Sequence, residues 1–444
     1  MGNLLLRGVR VRGEYVTDAT APAGQSAVPR SPRLAEWRVG WPLVLAATAG
    51  MSLTSVGFYS SGVMLGAIHA ETGWSRSAIT AAQTIAAVLA AATSPLSGVL
   101  MDRFGPRRVA IPGTFLLCLG MMAYALIGHS LVQWYAMSVL LSIAVIGLKP
   151  NVWTGAVAAV FRESRALAFA IVISGVAISA IIVPSITNAL LLRYGWRGAY
   201  VGLGLIWGAV VLPLCLLLPV TLRSGATSGP GDQSSQTDLP GVSVAQAVRS
   251  PVFARLAAMG LLLSLGFSAL LFHFVPLLHD RGIDTTTGAR LAGTIGLCQI
   301  VGRLVTGSLL DRISGALVGG IALILPVLPI LLLLLIHSDN LWLMLALAVL
   351  VGLSAGSELD LLTYLATRHF GLRHYGTLFG LLMIALAIGA GLGPVTASAI
   401  RDHAGSYNPV LWAIIPTFLL SALAIGTTGP YPDLEAGEGE GVRT

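Results

Sequence analysis

Two short charged turns set 209 residues apart constrain this chain more than any other feature. The first is Gly98-Val99-Leu100-Met101-Asp102-Arg103-Phe104-Gly105-Pro106-Arg107-Arg108, and the second is Gly307-Ser308-Leu309-Leu310-Asp311-Arg312. The same offset relates Gly57-Phe58 to Gly266-Phe267, Gly73 to Gly282 and Phe161 to Phe370. An offset of 210 relates Phe169 to Phe379, Pro184 to Pro394 and Gly195 to Gly405. A period sustained in this way reads as a tandem duplication, so whatever one half builds the other builds again.

Long apolar runs flank both turns and exclude a water-soluble fold. Of 444 residues, 55% are apolar and 10% charged, well outside the range of globular domains. A helix needs about 20 apolar residues to cross a hydrocarbon layer roughly 30 Å thick, where backbone polar groups must be satisfied internally. The sequence predicts an all-α membrane protein with twelve transmembrane helices in two pseudo-symmetric six-helix halves. Spans are expected at 40–67, 75–101, 107–128, 131–160, 165–192 and 198–220, then at 253–278, 287–310, 315–336, 341–366, 374–400 and 409–428. The organisation is then an N-terminal tail at 1–37, a first half at 38–220, a hydrophilic linker at 221–252, a second half at 253–430 and an acidic tail at 431–444. Residues 1–37 lack the apolar core of a secretory signal. Leu6 stands where a myristoylation site requires Ser or Thr.

The formal charge of +7 invites a nucleic-acid reading, but its distribution argues otherwise. Of 26 basic residues, eighteen fall in one set of expected loops and tails, six in the opposite set and two within spans. That bias places both termini in the cytoplasm and assigns the charge to membrane topology. Cys118, Cys215 and Cys298 lie in spans without metal-ligand spacing, and His69, His129 and His403 show none either. Neither metal nor cofactor is expected, and no nucleophile constellation suggests an enzyme.

The turn at 98–108 resembles the loop between the second and third helices of the major facilitator superfamily: Gly, three residues, Asp-Arg, one residue, Gly, then basic residues. Within that superfamily, Gly73-Trp74-Ser75-Arg76 after the first span resembles the monocarboxylate porters and their bacterial relatives, which include oxalate/formate exchangers. The stretches Phe161-Arg162-Glu163-Ser164-Arg165, Tyr194-Gly195-Trp196-Arg197 and Glu358-Leu359-Asp360-Leu361-Leu362-Thr363-Tyr364 extend the likeness over about 40–430. The resemblance implies two halves related by an axis along the membrane normal, alternating access, and a substrate held near the midplane. It also implies that spans 1, 4, 7 and 10 line the cavity. Asp102, with Arg103 and Arg107, would lock the cytoplasmic ends of spans 2 and 11, and Asp311 is the second copy of that aspartate. Three features depart from the porters. Gln299 stands where they carry an Asp four residues before the helix 8 Arg, here Arg303. Tyr59-Ser60-Ser61-Gly62 replaces the first-helix Lys, and span 11 has no Lys.

Charges inside spans are costly, at about 2.5 to 3.5 kcal/mol, and normally face a cavity or a partner. Away from the span ends four occur: Lys149, Arg303, Glu358 and Asp360. Lys149 and Glu358 are related by the 209-residue repeat, each twelve residues before its Phe marker, or about 18 Å of helix. Lys149, the sole lysine, is therefore a candidate anchor for a substrate carboxylate, with Glu358 holding it in the empty carrier; a fixed structural pair, or a lysine that snorkels, is the alternative. Arg303 and Asp360 lie at equal distances from the cytoplasmic end and are expected to pair. His273 could relay protons or be a buried, hydrogen-bonded histidine. Trp153 could wall the cavity or pack between helices. Asn151, the repeat partner of Asp360, could hydrogen-bond across helices, and Tyr59 lies mid-span. Together these predict a secondary transporter of a small, monocarboxylate-like organic anion, proton-coupled or exchanging, monomeric, in the plasma membrane of a bacterium. The alternatives are multidrug or apolar-cation efflux and a non-transporting membrane sensor.

Overall fold

The computed structural model describes residues 32–158, 160–161, 164–218, 241–310, 312–335, 340–371, 373–429 and 431–432. These form helices α1 (Pro32–Thr72), α2 (Arg76–Ala92), α3 (Ser94–Phe104), α4 (Pro106–Ala123), α5 (Leu131–Ala144), α6 (Pro150–Ala158) and α7 (Arg165–Cys215), then α8 (Val244–Arg249), α9 (Pro251–Asp280), α10 (Thr285–Leu310), α11 (Gly315–Ile324), α12 (Val327–Leu335), α13 (Leu341–Phe370), α14 (Tyr375–Ala404) and α15 (Asn408–Gly426). Ten helical segments among the described residues are long and apolar enough to cross a membrane, α5 with α6 and α11 with α12 each counting as one. α2 is a shorter apolar helix running almost directly into α3.

The duplication is visible in backbone geometry. The repeated glycines that follow α1 and α9, Gly73 and Gly282, have φ of 71° and 82°; the pair Gly195 and Gly405 has 68° and 72°. Only glycine occupies this left-handed region without strain, so the repeat conserves turns as well as spans. Gly195 also divides the 51-residue α7 into two helices. The two larger cores follow the same division, while a third, around Trp134 and Trp196, also takes in Phe272 of the second half. One buried cluster draws on residues between Leu43 and Leu218 and another on residues between Ala247 and Ile425.

Three expectations need correction. The first helix begins at Pro32 rather than near 40, because Pro suits a helical first turn and Trp37 packs on Phe161 with ring centroids 5.0 Å apart. The expected linker at 221–252 is not wholly irregular: its 221–240 portion lies outside the described residues, but 244–249 is helical. Ser243 and Gln246 form a reciprocal capping box there, and Gly241 pairs with Gly371. Spans 2 and 4 are not continuous. α2 gives way to α3 at Thr93 (φ −89°, ψ 3°), two residues before Pro95, which offers no N–H to Ala91 O. Span 4 breaks at Lys149 (φ −60°, ψ 155°), driven extended by Pro150 behind it.

The halves meet through α1 against α9, α2 against α14 and α7 against α10. Small residues permit this approach: an added Cβ at Gly391 would fall 2.7 Å from Ala87 Cβ, and one at Gly293 would fall 2.8 Å from Ile181 O; within the second half, one at Gly389 would collide with Leu261 O. The glycines at 389–393 are therefore packing positions. Hydrogen bonds between the halves among the described residues run from Arg76, Ser77, Thr84 and Asn188 to Asp402, Tyr407, Gly391 and Thr286. Most of them gather at the end carrying the 73–75, 281–284 and 405–407 turns, and that end is closed.

Candidate functional site

The two helix breaks face each other. Lys149 is 7% exposed, and its ammonium donates to Ala90 O, on the last turn of α2 beside the break, and approaches Thr93 Oγ1 at 3.4 Å. A kinked helix end leaves carbonyls with spare accepting capacity, and the lysine uses one of them. Lys149 lines a cavity of about 480 Å³ with Thr54, Ala90, Val145, Met383 and Ala387, so walls from both halves enclose it. A second cavity of about 290 Å³ lies within the first half and includes Phe58, Ser61, Gln83, Tyr124 and Tyr200. The two share Thr54, Ala87, Ala90, Val145 and Ala390. They adjoin, and the Lys149 ammonium sits at the junction, bonded to one of the shared residues.

Glu358 occupies a different cluster. Its Oε1 is buried without a hydrogen-bond partner, and Ser264 of α9, Tyr59 of α1 and, through Tyr59, Gln299 of α10 surround it. Among the described side chains Lys149 and Glu358 do not pair, which corrects the expectation for the empty carrier. The break at Lys149 turns the lysine toward α2, whereas α13 runs unbroken through Glu358. The expected pair between α10 and α13 is formed, with Arg303 Nε 3.5 Å from Asp360 Oδ2.

The other candidate residues mostly hold helices together. Trp153 is fully buried and donates Nε1–H to Leu148 O at 2.7 Å, its ring filling the space a side chain at Gly50 would need. It belongs to the packed wall rather than the cavity lining. Asn151 Oδ1 accepts from Ser97 Oγ at 2.9 Å, tying α6 to α3. His273 Nε2 lies 2.9 Å from Pro394 O and must donate to it, so Nδ1 accepts from Tyr407 Oη at 2.9 Å. Burial pushes the Tyr407 phenol up to about 12, so it keeps the proton this bond needs. Tyr407 also takes a hydrogen bond from Arg76 Nη1 at 3.4 Å. Arg103 stacks on Phe104 at 5.3 Å, and Arg107 is half-buried at the start of α4. The Asp102 side chain and all of Asp311 lie outside the described residues.

Sequence reasoning missed two things. One is the cavity of the first half, whose lining residues come from helices far apart in the chain; within it Gln83 Nε2 donates to Ser61 Oγ at 3.2 Å. The other is Asp402, which lies just beyond the expected end of span 11. Its Oδ1 and Oδ2 accept from Arg76 N (3.2 Å) and Ser77 N (2.8 Å), and Ser77 Oγ adds a third bond at 2.7 Å. Only the acid's charge was legible; the partner helix is 325 residues away.

Comparison with known proteins agrees with this architecture. The family model described as Major Facilitator Superfamily matches residues 47–394, with a further match over 296–442. Monocarboxylate transporter 13 of Bos taurus is 25% identical over 338 residues, covering 76% of this chain and 77% of its own. Monocarboxylate transporter 11 of Homo sapiens is 27% identical over 352 residues, covering 75% and 69%. Among solved structures, a bacterial homolog to the human lysosomal transporter Spinster, inward-facing and unoccupied, superposes with a TM-score of 0.66. That likeness is at 17% identity over 87% of this chain and 93% of the other, and concerns the fold. These relatives are transporters and not enzymes. With a match over most of its length and paired apolar halves around a shared cavity, the chain belongs to the Major Facilitator Superfamily of multi-pass membrane transporters.

Proposed function

We propose that this protein carries a small organic anion, monocarboxylate-like, by alternating access. The observation that carries this reading is Lys149: a sole lysine, nearly buried, lining a mostly apolar cavity between the halves. A buried cation in such a site recognises a carboxylate, and the apolar walls accept the rest of the acid. The names of the curated relatives, monocarboxylate transporters, support the same class. In the empty carrier Ala90 O holds the ammonium, and an arriving carboxylate takes its place. Glu358 lies apart and serves as the proton site of a coupled cycle. Asp102, Arg103, Arg107 and Asp311 serve the gate on the opposite face from Asp402.

In this reading the chain has twelve spans, because Gly195 splits α7 into two and α2 with α3 forms one bent span. Both termini are cytoplasmic, the closed end faces outward, and the state is inward-open. The host membrane is a bacterial plasma membrane, and the carrier works as a monomer.

The test is uptake of labelled carboxylates into proteoliposomes, with and without a pH gradient, for wild type and Lys149→Ala. An acid that accumulates in wild type and not in the variant sustains the reading. Movement of apolar cations with no carboxylate transported by either protein would overturn it.

A further inference from the structure

The Lys149 cavity accounts for a carboxylate but leaves the adjoining cavity of the first half without a role. Its volume, about 290 Å³, would hold about ten non-hydrogen atoms at a water's share of ~30 Å³ each. A two- or three-carbon acid anchored at Lys149 would leave that space empty. The walls are aromatic and sulfur-bearing. Tyr124 and Tyr200 stack with centroids 4.6 Å apart and planes 15° from parallel, and Phe58 and Met121 line the cavity with them, among smaller and aliphatic residues. Stacked rings of this kind offer edges and faces to a third ring in the geometries aromatic groups favour. One amide, Gln83, stands among them, bonded through Nε2 to Ser61, with further donor and acceptor capacity for a polar substituent.

Resting on the anion reading above, we infer that the preferred substrate is an aryl monocarboxylate, its carboxylate at Lys149 and its ring in the pocket between Phe58, Tyr124 and Tyr200. The junction geometry imposes this arrangement. The ammonium is bonded to Ala90, which belongs to both cavities, so a carboxylate there points its tail into one or the other. The larger cavity contains no aromatic side chain in its lining and reaches toward the interface with α14; the smaller is enclosed almost wholly by the first half.

The experiment uses the full-length protein in proteoliposomes with labelled pyruvate and labelled 3-phenylpropionate, each competed with the other. In wild type, 3-phenylpropionate should inhibit pyruvate uptake at a concentration at least about tenfold below that needed by unlabelled pyruvate, the discrimination a single pocket-filling carbon can provide. Ala86→Phe, which places a ring in the pocket, should lower the ratio of 3-phenylpropionate to pyruvate transport by about tenfold or more. Equal potency of the two acids in wild type would overturn the inference, as would an unchanged ratio in a folded Ala86→Phe carrier. Either result with Lys149-dependent pyruvate uptake leaves the anion reading standing. Loss of carboxylate transport altogether, or indifference to Lys149→Ala, removes both.

Discussion

Asp402 offers the most direct test of how the halves are held closed. The first four N–H groups of a helix have no partner within it. In α2 the helical residues concerned are Arg76, Ser77 and Ala78, and one is satisfied locally: Ala78 N by Ser75 Oγ at 3.1 Å. The other two are satisfied by Asp402, from the opposite half. Opening this end must therefore strip the cap from α2 and return its N–H groups to water. A side-chain cap contributes about 0.5–2 kcal/mol, and a carboxylate near a helix N-terminus about 0.3–1 kcal/mol at an exposed site. Because Asp402 is exposed, the lower part of the combined range applies, roughly 1–2 kcal/mol. Asp402→Ala should then raise the population open at this end by about 5–30-fold. The check is a cysteine at Val63, a buried residue lining a small void on the closed side, in a background with Cys298 replaced by Ser. Its labelling rate by a membrane-impermeant thiol reagent should rise by that factor in Asp402→Ala, and Asp402→Asn should fall between. Unchanged labelling in a folded variant would refute the argument that this cap holds the end closed.

Two further predictions concern charges within the spans. Glu358→Gln should abolish the acceleration of uptake by an acid-outside gradient while counterflow exchange continues; a gradient response that survives would place the proton elsewhere. Arg303 and Asp360 are 38% and 31% exposed in their side chains, so their pairing should be worth only about 0.5–1 kcal/mol. A double-mutant cycle of Arg303→Gln and Asp360→Asn, followed by thermal unfolding in detergent, should show coupling of that size, and strictly additive losses would count against the pair.

What was legible in the sequence follows from the range of the physics involved. The repeat exposed the turns, because a glycine at positive φ leaves the same residue at the same offset in both halves. Arg303 and Asp360 were legible because two continuous helices carry depth faithfully at about 1.5 Å per residue. Lys149 and Glu358 share a repeat position just as well, yet depth failed there. Pro150 has no counterpart at Leu359, so one helix breaks and the other continues. Trp153 one turn from the lysine was ambiguous until the break rotated it into the core. The aromatic pocket was hidden for a different reason: Phe58, Tyr124 and Tyr200 come from three segments, and no one-dimensional pattern brings them together.

The cap on α2 bears on the logic of the proposed gate. The two helices run antiparallel, and the first turn of α2 lies beside the last turn of α14. Asp402, in the last turn of α14, caps α2 in this structure. At the other end α14 starts without a side-chain cap of its own, its N-cap being His374, and Asp102 lies in the last turn of α3, which continues α2. The resemblance assigns Asp102 to that end, and the position of Asp402 supplies the same chemistry at the opposite one. On the proposal that Asp102 serves α14 as Asp402 serves α2, each helix carries a carboxylate for the N–H groups of the other, one closing contact per end. Both cannot form while the carrier is open at either side. Exchanging one cap for the other leaves the count of satisfied N–H groups nearly constant through the cycle. Neither closed state is then much deeper than its alternative, and a shift of the 1–2 kcal/mol expected at Asp402 suffices to bias which end is open.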